Sequence, residues 1–87
     1  MKRRDFYIII RDFDSCGLSF DEACERLGEH NLTGTTAALR DGCLWLRFTW
    51  LGEDWELSGP TEVSMALRRV MKAGIPTCEY TIRILED

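Results

Sequence analysis

One histidine and four cysteines are among the chemically versatile side chains of this 87-residue chain, and each could act as a nucleophile, a base or a metal ligand. His30 has no serine or cysteine at the spacing of a nucleophile–base pair, and neither a nucleophile elbow nor a phosphate-binding glycine loop occurs. The cysteines are Cys16, Cys24, Cys43 and Cys78. They include no C-x-x-C pair, and a Cys16–Cys24–His30 metal site would lack an identifiable fourth ligand. We therefore expect free thiols, no metal, no cofactor and no enzymatic activity.

Four carboxylates are predicted to lie along the solvent side of a first helix. Ser19 stands three residues before Glu22, which is the spacing of a capping box at a helix N-terminus. Intervals of three and four residues place Asp21, Glu22, Glu25 and Glu29 on one side, where they could meet a basic partner. A solvated helix face explains the same pattern, because acidic residues in the first turn are favoured by the helix dipole.

Strict alternation between Cys43 and Leu57, CLWLRFTWLGEDWEL, predicts a strand with two different faces. The residues predicted to face the core are Leu44, Leu46, Phe48 and Trp50. Trp45 and Arg47 point the other way, and Tyr7 and Arg11 share that side from the first strand. RNA-recognition domains stack bases on such a face, although the glycines of their third-strand consensus are absent. Three interpretations of this face remain. It is an amphipathic surface on which arginine stems cover the rings, a protein-binding surface, or a nucleic-acid site.

Charge and hydropathy narrow the class of partner. The net charge is −4, so non-specific binding to nucleic acid is not expected. A basic protein partner and ordinary solubility explain the acidic charge equally well. The longest apolar run, residues 6–10, is too short to cross a membrane. Arg11 and Asp12 end that run before it reaches the length of a secretory signal. We predict a single cytoplasmic domain, residues 1–87, with no membrane segment.

The remaining patterns predict the order strand, helix, strand, strand, helix, strand. Strands are expected at 6–13, 33–40, 43–51 and 77–85, and helices at 19–28 and 60–74. Gly28 can end the first helix in a left-handed cap, and Pro60 suits the first turn of the second. Asp41-Gly42 is a two-residue hairpin signal. The residues of the last strand predicted to face the core are Cys78, Tyr80, Ile82 and Ile84.

This order is the split βαβ, ferredoxin-like α+β pattern. In it, two helices cover one face of an antiparallel sheet, and the first and third strands are central. A short additional strand at 54–58 is the alternative topology.

In size, acidic charge and organisation the whole chain resembles the small phage-encoded anti-CRISPR proteins. These proteins are short, are often acidic and lack catalytic motifs, and ferredoxin-like arrangements occur among them. The resemblance implies that the chain binds a CRISPR effector and blocks target-DNA access or nuclease recruitment. Glu22, Glu25 and Glu29 are then expected to occupy a lysine- and arginine-rich surface meant for nucleic acid.

The sequence thus favours a non-enzymatic inhibitor or modulator of a larger protein or ribonucleoprotein complex that has a basic surface. Its two candidate contact surfaces are the acidic helix (Asp21, Glu22, Glu25 and Glu29) and the sheet face (Tyr7, Arg11, Trp45 and Arg47). The alternative is a small ferredoxin-like regulatory module that binds a metabolite or RNA. In that alternative, the sheets of two copies could pair in a homodimer.

Overall fold

Alternating burial along the two longest strands gives the protein a sheet with one covered and one open face. The computed structural model describes residues 1–30, 32 and 35–85. In chain order the elements are β1 (Lys2–Ile10), α1 (Phe20–Glu29), β2 (Thr36–Arg40), β3 (Cys43–Gly52), α2 (Trp55–Lys72) and β4 (Tyr80–Ile84), with a short 3-10 helix at Phe13–Ser15.

The four strands form one antiparallel sheet in the order β2-β3-β1-β4. β1 pairs with β3 from Lys2↔Gly52 to Ile10↔Leu44, and with β4 from Phe6↔Ile84 to Ile10↔Tyr80. β2 pairs with β3. The prediction of an α+β domain with a four-stranded antiparallel sheet and two helices is confirmed, as is the central position of the first and third strands.

The core lies between the sheet and the two helices. The buried sheet residues are Phe6, Ile8 and Ile10 of β1 and Leu44, Leu46, Phe48 and Trp50 of β3. Ala23 and Leu27 of α1 and Ala66 and Val70 of α2 belong to the same buried cluster, so both helices cover the same face. The predicted inward set of the tryptophan strand is therefore confirmed. Within the described residues, no helix is long and apolar enough to cross a membrane.

The beginning of α1 follows the prediction, but its end does not. The Ser19 hydroxyl oxygen accepts a hydrogen bond from the Glu22 backbone N–H at 3.2 Å, as the capping spacing indicates. The predicted left-handed end at Gly28 is wrong, because α1 continues to Glu29 and ends at His30 with φ −92°. The His30 backbone N–H still reaches the carbonyl of Arg26, and a left-handed residue is not required there.

The hairpin between β2 and β3 is the one predicted. Asp41 and Gly42 both have positive φ, 49° and 75°, which is the backbone twist that a two-residue hairpin needs. β2 begins at Thr36, and its predicted start at Thr33 lies outside the described residues. β1 begins at Lys2, earlier than predicted, because its pairing with β3 extends to Gly52.

The alternative of a short strand at 54–58 is wrong, because these residues cap and begin α2. The Asp54 side chain accepts a hydrogen bond from the Glu56 N–H at 3.0 Å, and the Ser58 N–H donates to the Asp54 carbonyl. Pro60, expected in the first turn, lies further inside α2. Leu57 is exposed, and the early start of the helix instead turns Trp55 towards the core.

The Trp55 indole fills a gap that Gly59 leaves open one turn later. Its ring lies 5.3 Å from Trp50 and 5.9 Å from Phe6, measured between ring centroids. A Cβ atom at position 59 would stand 2.5 Å from the Cδ2 atom of Trp55. The packing of this aromatic group therefore requires glycine at position 59.

Replacing Gly59 by alanine should lower the free energy of unfolding by about 1–2 kcal/mol, because the indole must move out of a packed site. This loss is expected even though alanine is the better helix former by about 1 kcal/mol. Gly28→Ala is the matched control, since a Cβ there meets nothing within 4 Å. Urea unfolding of both variants measures the difference, and a stabilised G59A would contradict this account of Trp55.

The side chains of the edge strand β4 lie on the sheet face predicted for them, but the helices cover them only in part. Its register places Tyr80, Ile82 and Ile84 on the same side as the core residues of β1. Ile82 packs against the core, whereas Tyr80 and Ile84 are 44% and 42% exposed. Cys78, predicted to be inward, precedes β4 and is exposed. The helices cover the centre of the sheet better than this edge.

Candidate functional site

The open face of the sheet carries the odd-numbered residues of β1 and β3, and three predicted site residues meet there. Tyr7 and Trp45 pack edge to face, with their ring centroids 5.3 Å apart and their planes at 79°. Arg47 is the cross-strand partner of Tyr7, and its guanidinium carbon lies 6.0 Å from the tyrosine ring centroid. All three are half-buried, so each keeps part of its surface available for a ligand.

Arg40 adds a second guanidinium to this group from β2. Its guanidinium carbon lies 5.3 Å from the centroid of the Trp45 ring, within the range of a cation–π interaction. We call Tyr7, Arg40, Trp45 and Arg47 the aromatic–arginine cluster. Three neighbouring strands build it, and each ring has a guanidinium over it. The sequence left two interpretations of this face, an amphipathic surface without a ligand and a binding surface. Both are compatible with the arrangement of the cluster.

Arg11 lies outside the cluster. It follows the end of β1 in a turn, and its backbone N–H donates to the Glu79 carbonyl at 3.0 Å. With Cys16 and Cys78, Arg11 lines a shallow cavity of about 250 Å³ at this end of the sheet. The structure therefore separates Arg11 from the other three residues predicted for the sheet face.

Asp5 is a residue of this face that the sequence analysis did not single out. Its carboxylate forms an ion pair with Arg47 and a second one with Arg3 at 3.3 Å. The residue is only 8% exposed, and the hydrogen bond from Arg47 is the main reason why its pKa falls to about 2, against the opposing effect of burial. The same contact raises the pKa of Arg47. Asp5 thereby fixes the guanidinium beside Tyr7.

The sequence contains a signal for Asp5, since it stands two residues before Tyr7 in a strand and must share its face. Its register partner is Thr49, which lies on the same side as Arg47. Alternation alone places Asp5 on the open face. The choice of Arg47 as its partner depends on the strand register.

The acidic side of α1 consists of Asp21, Glu22, Glu25 and Glu29, and all four are exposed as predicted. Among the residues that the structure describes, none of these carboxylates forms an ion pair. Arg26, the cation of the same helix, instead donates to the Gly74 carbonyl at 3.0 Å. This contact ties α1 to the end of α2 and leaves the acidic side uncompensated.

His30 and Cys24, two residues of the metal site considered from the sequence, have surroundings of their own in the structure. His30 Nδ1 is 3.0 Å from the Arg26 carbonyl oxygen. Burial and the charge of Asp21 raise the pKa of the Cys24 thiol, which disfavours its thiolate. In the described ranges, no three His, Cys, Asp or Glu side chains are grouped so as to hold a metal ion.

No protein-family model and no curated protein matches the chain. The two surfaces, the aromatic–arginine cluster and the acidic side of α1, are therefore interpreted from their own chemistry.

Proposed function

We propose that the protein is a non-enzymatic binding protein that modulates a larger protein or ribonucleoprotein complex by covering a basic surface of it. The observation that supports this proposal is the acidic side of α1, where four exposed carboxylates have no ion-pair partner within the described residues. Uncompensated charges of one sign steer association with a surface of the other sign and fix its register.

The rigidity of α1 makes this surface suitable for binding. Its first turn is capped by Ser19, its apolar side is buried through Ala23 and Leu27, and Arg26 bonds to the Gly74 carbonyl. A partner would therefore meet carboxylates whose backbone is already ordered, so little conformational entropy is lost on binding.

We further propose that the partner is a CRISPR effector and that the chain acts, as phage-encoded anti-CRISPR proteins do, in the cytoplasm of a bacterial host. Such effectors hold nucleic acid in positively charged channels. An acidic helix that enters such a channel would compete with target DNA or with nuclease recruitment. We also assign the domain to the ferredoxin-like class, an assignment supported by the strand order and by the antiparallel pairing.

Reversing the charge of Glu22, Glu25 and Glu29 to lysine should weaken inhibition of the partner by about a hundredfold, because attraction becomes repulsion at three exposed positions. The assay measures target-DNA binding and cleavage by purified effector–guide complexes in the presence of each variant. The matched control reverses Glu53, Glu62 and Glu79, which are also exposed but lie outside α1.

Thermal unfolding of both triple variants checks that the fold is kept, since exposed substitutions usually change stability little. Undiminished inhibition by the α1 variant, or equal losses for both variants, would contradict the role of the acidic side of α1. A wild-type protein that leaves every tested effector active would contradict the CRISPR assignment.

The alternative function, a regulatory module that binds RNA or a metabolite, is favoured by a different surface. The aromatic–arginine cluster combines two rings with two guanidinium groups on a sheet face that no helix covers. Its chemistry is opposite in sign to that of α1, so the two surfaces call for different ligands.

A further inference from the structure

We infer that the open face of the sheet binds single-stranded nucleic acid, with unpaired bases stacked on the aromatic–arginine cluster and phosphates held by arginines at its edges. This inference rests on the alternative function, a module that binds RNA, and is independent of the proposal for the acidic side of α1, because α1 covers the opposite face of the sheet. Single-stranded nucleic acid is recognised by stacking platforms combined with positive charge, and this face supplies both.

The platform is built from two cross-strand rows on the central strands. In the first row, Tyr7 stands between Arg47 of β3 and Arg83 of β4, which are its register partners on either side. In the second row, Trp45 stands beside Ile9. Residues paired across antiparallel strands share a face, so the tyrosine has an arginine as its neighbour on each side. The neighbours on the outer strands are small: Thr36, Ala38 and Thr81.

The charge of this face differs from that of the whole protein. Asp5 is the only acidic residue in the four strands, and its charge is matched by Arg3 and Arg47. Arg40 and Arg83 are exposed and form no ion pair within the described part of the chain. The net charge of −4 reflects carboxylates elsewhere, including the acidic side of α1. The open face is therefore locally positive and complements a phosphate chain.

Single strands fit this surface better than a duplex does. The rings of Tyr7 and Trp45 lie on a sheet and are half-buried, so they can stack only with bases that are free to leave their own stack. The guanidinium groups over the rings do not block such stacking, since a guanidinium plane is itself a surface on which bases stack. Arg47 is held in place by Asp5 before any ligand arrives.

A second copy of this chain is a poorer occupant of the same face. In a twofold dimer formed by this face, each surface meets its own copy. The arginines of one copy would then approach those of the other, and like charges brought together are repulsive. An anionic ligand removes that repulsion.

The test is a fluorescence-anisotropy titration of the full chain with a fluorescein-labelled oligouridylate at several salt concentrations. Arg40→Ala combined with Arg83→Ala should weaken binding at least tenfold at low salt. It should also reduce the slope of log affinity against log salt, by about 0.7 for each phosphate contact that a single strand loses. Trp45→Leu should weaken binding on the order of tenfold through lost stacking.

Arg68→Ala combined with Arg69→Ala is the matched control, because it removes the same charge from exposed positions of α2. Retained affinity in that control, with intact circular dichroism for every variant, supports the sheet face. Equal weakening by the two arginine pairs would overturn the inference, as would a wild-type protein that fails to bind the oligonucleotide. Equally tight binding of duplex RNA, or equal competition by poly-L-glutamate, would also overturn it, the latter because it would identify a site for acidic proteins.

Discussion

Trp50→Ala should destabilise the domain far more than Trp45→Ala, although the two residues lie on the same strand five positions apart. Trp50 is 4% exposed and packs edge to face against Trp55 at 5.3 Å. Truncating a buried tryptophan costs about 3–5 kcal/mol. A domain of this size has a total stability of about 5–15 kcal/mol, so W50A should retain little of it. Urea unfolding followed by far-UV circular dichroism measures the loss.

Trp45 provides the comparison within the same element. It is half-buried, and its contacts are the Tyr7 ring and the Arg40 guanidinium on the open face. Losing these contacts should cost about 1–2 kcal/mol. If W50A is too unstable to purify, the pair W50F and W45F keeps the comparison measurable with smaller losses in the same order. Equal losses at the two positions would contradict the two-faced strand.

The elements predicted correctly are those whose signal is local. Alternation along β3 determines which residues are buried, and that pattern depends only on the period of a strand. The hairpin at Asp41 and Gly42 is equally local, since both residues tolerate the positive φ that the turn imposes. The cap of α1 is local as well, because the Ser19 hydroxyl contacts the backbone of Glu22, three residues away. The strand order then follows because right-handed crossovers leave few arrangements.

The errors concern features that packing determines rather than the period of one element. Trp55 belongs to α2 and turns to the core, where its indole packs on Trp50, over Gly59 and on Phe6 of β1, and the contact with Phe6 joins residues that are far apart in the sequence. The exposure of Tyr80 and Ile84 has the same origin, since the helices do not extend over the edge strand. Pro60 misled the prediction, because it marks a first turn more often than a later one.

The candidate site was predictable as a face but not as a set of contacts. Alternation places Tyr7, Trp45 and Arg47 together, and the structure confirms that they meet. Arg11 follows the end of β1 at Ile10 and lies outside the aromatic–arginine cluster, so its part in the sheet face stays a prediction. The ion pair of Asp5 with Arg47 needs the register of β1 against β3, which the sequence pattern does not specify.

Asp5→Asn should lower the free energy of unfolding by about 2 kcal/mol at neutral pH, and this loss should disappear in acid. The pKa of Asp5 is about 2 in the folded protein, lowered from 3.8, chiefly by the hydrogen bond from Arg47. A carboxyl group whose pKa is lowered by folding stabilises the protein above its unfolded pKa. That stabilisation is lost as the pH falls from about 4 towards about 2. Its size follows because a tenfold change in proton affinity is equivalent to about 1.4 kcal/mol.

The measurement is urea unfolding of wild type and D5N at a series of pH values from neutral to acidic. The gap between the two should be widest above about pH 4 and should narrow towards about pH 2, where the wild-type carboxyl is also protonated. Glu25→Gln is the control, because that exposed carboxylate has no ion pair within the described residues and should show no comparable gap. A D5N deficit that stays constant with pH would show that the ionisation of Asp5 is not what stabilises the fold, and would contradict the account of its ion pair with Arg47.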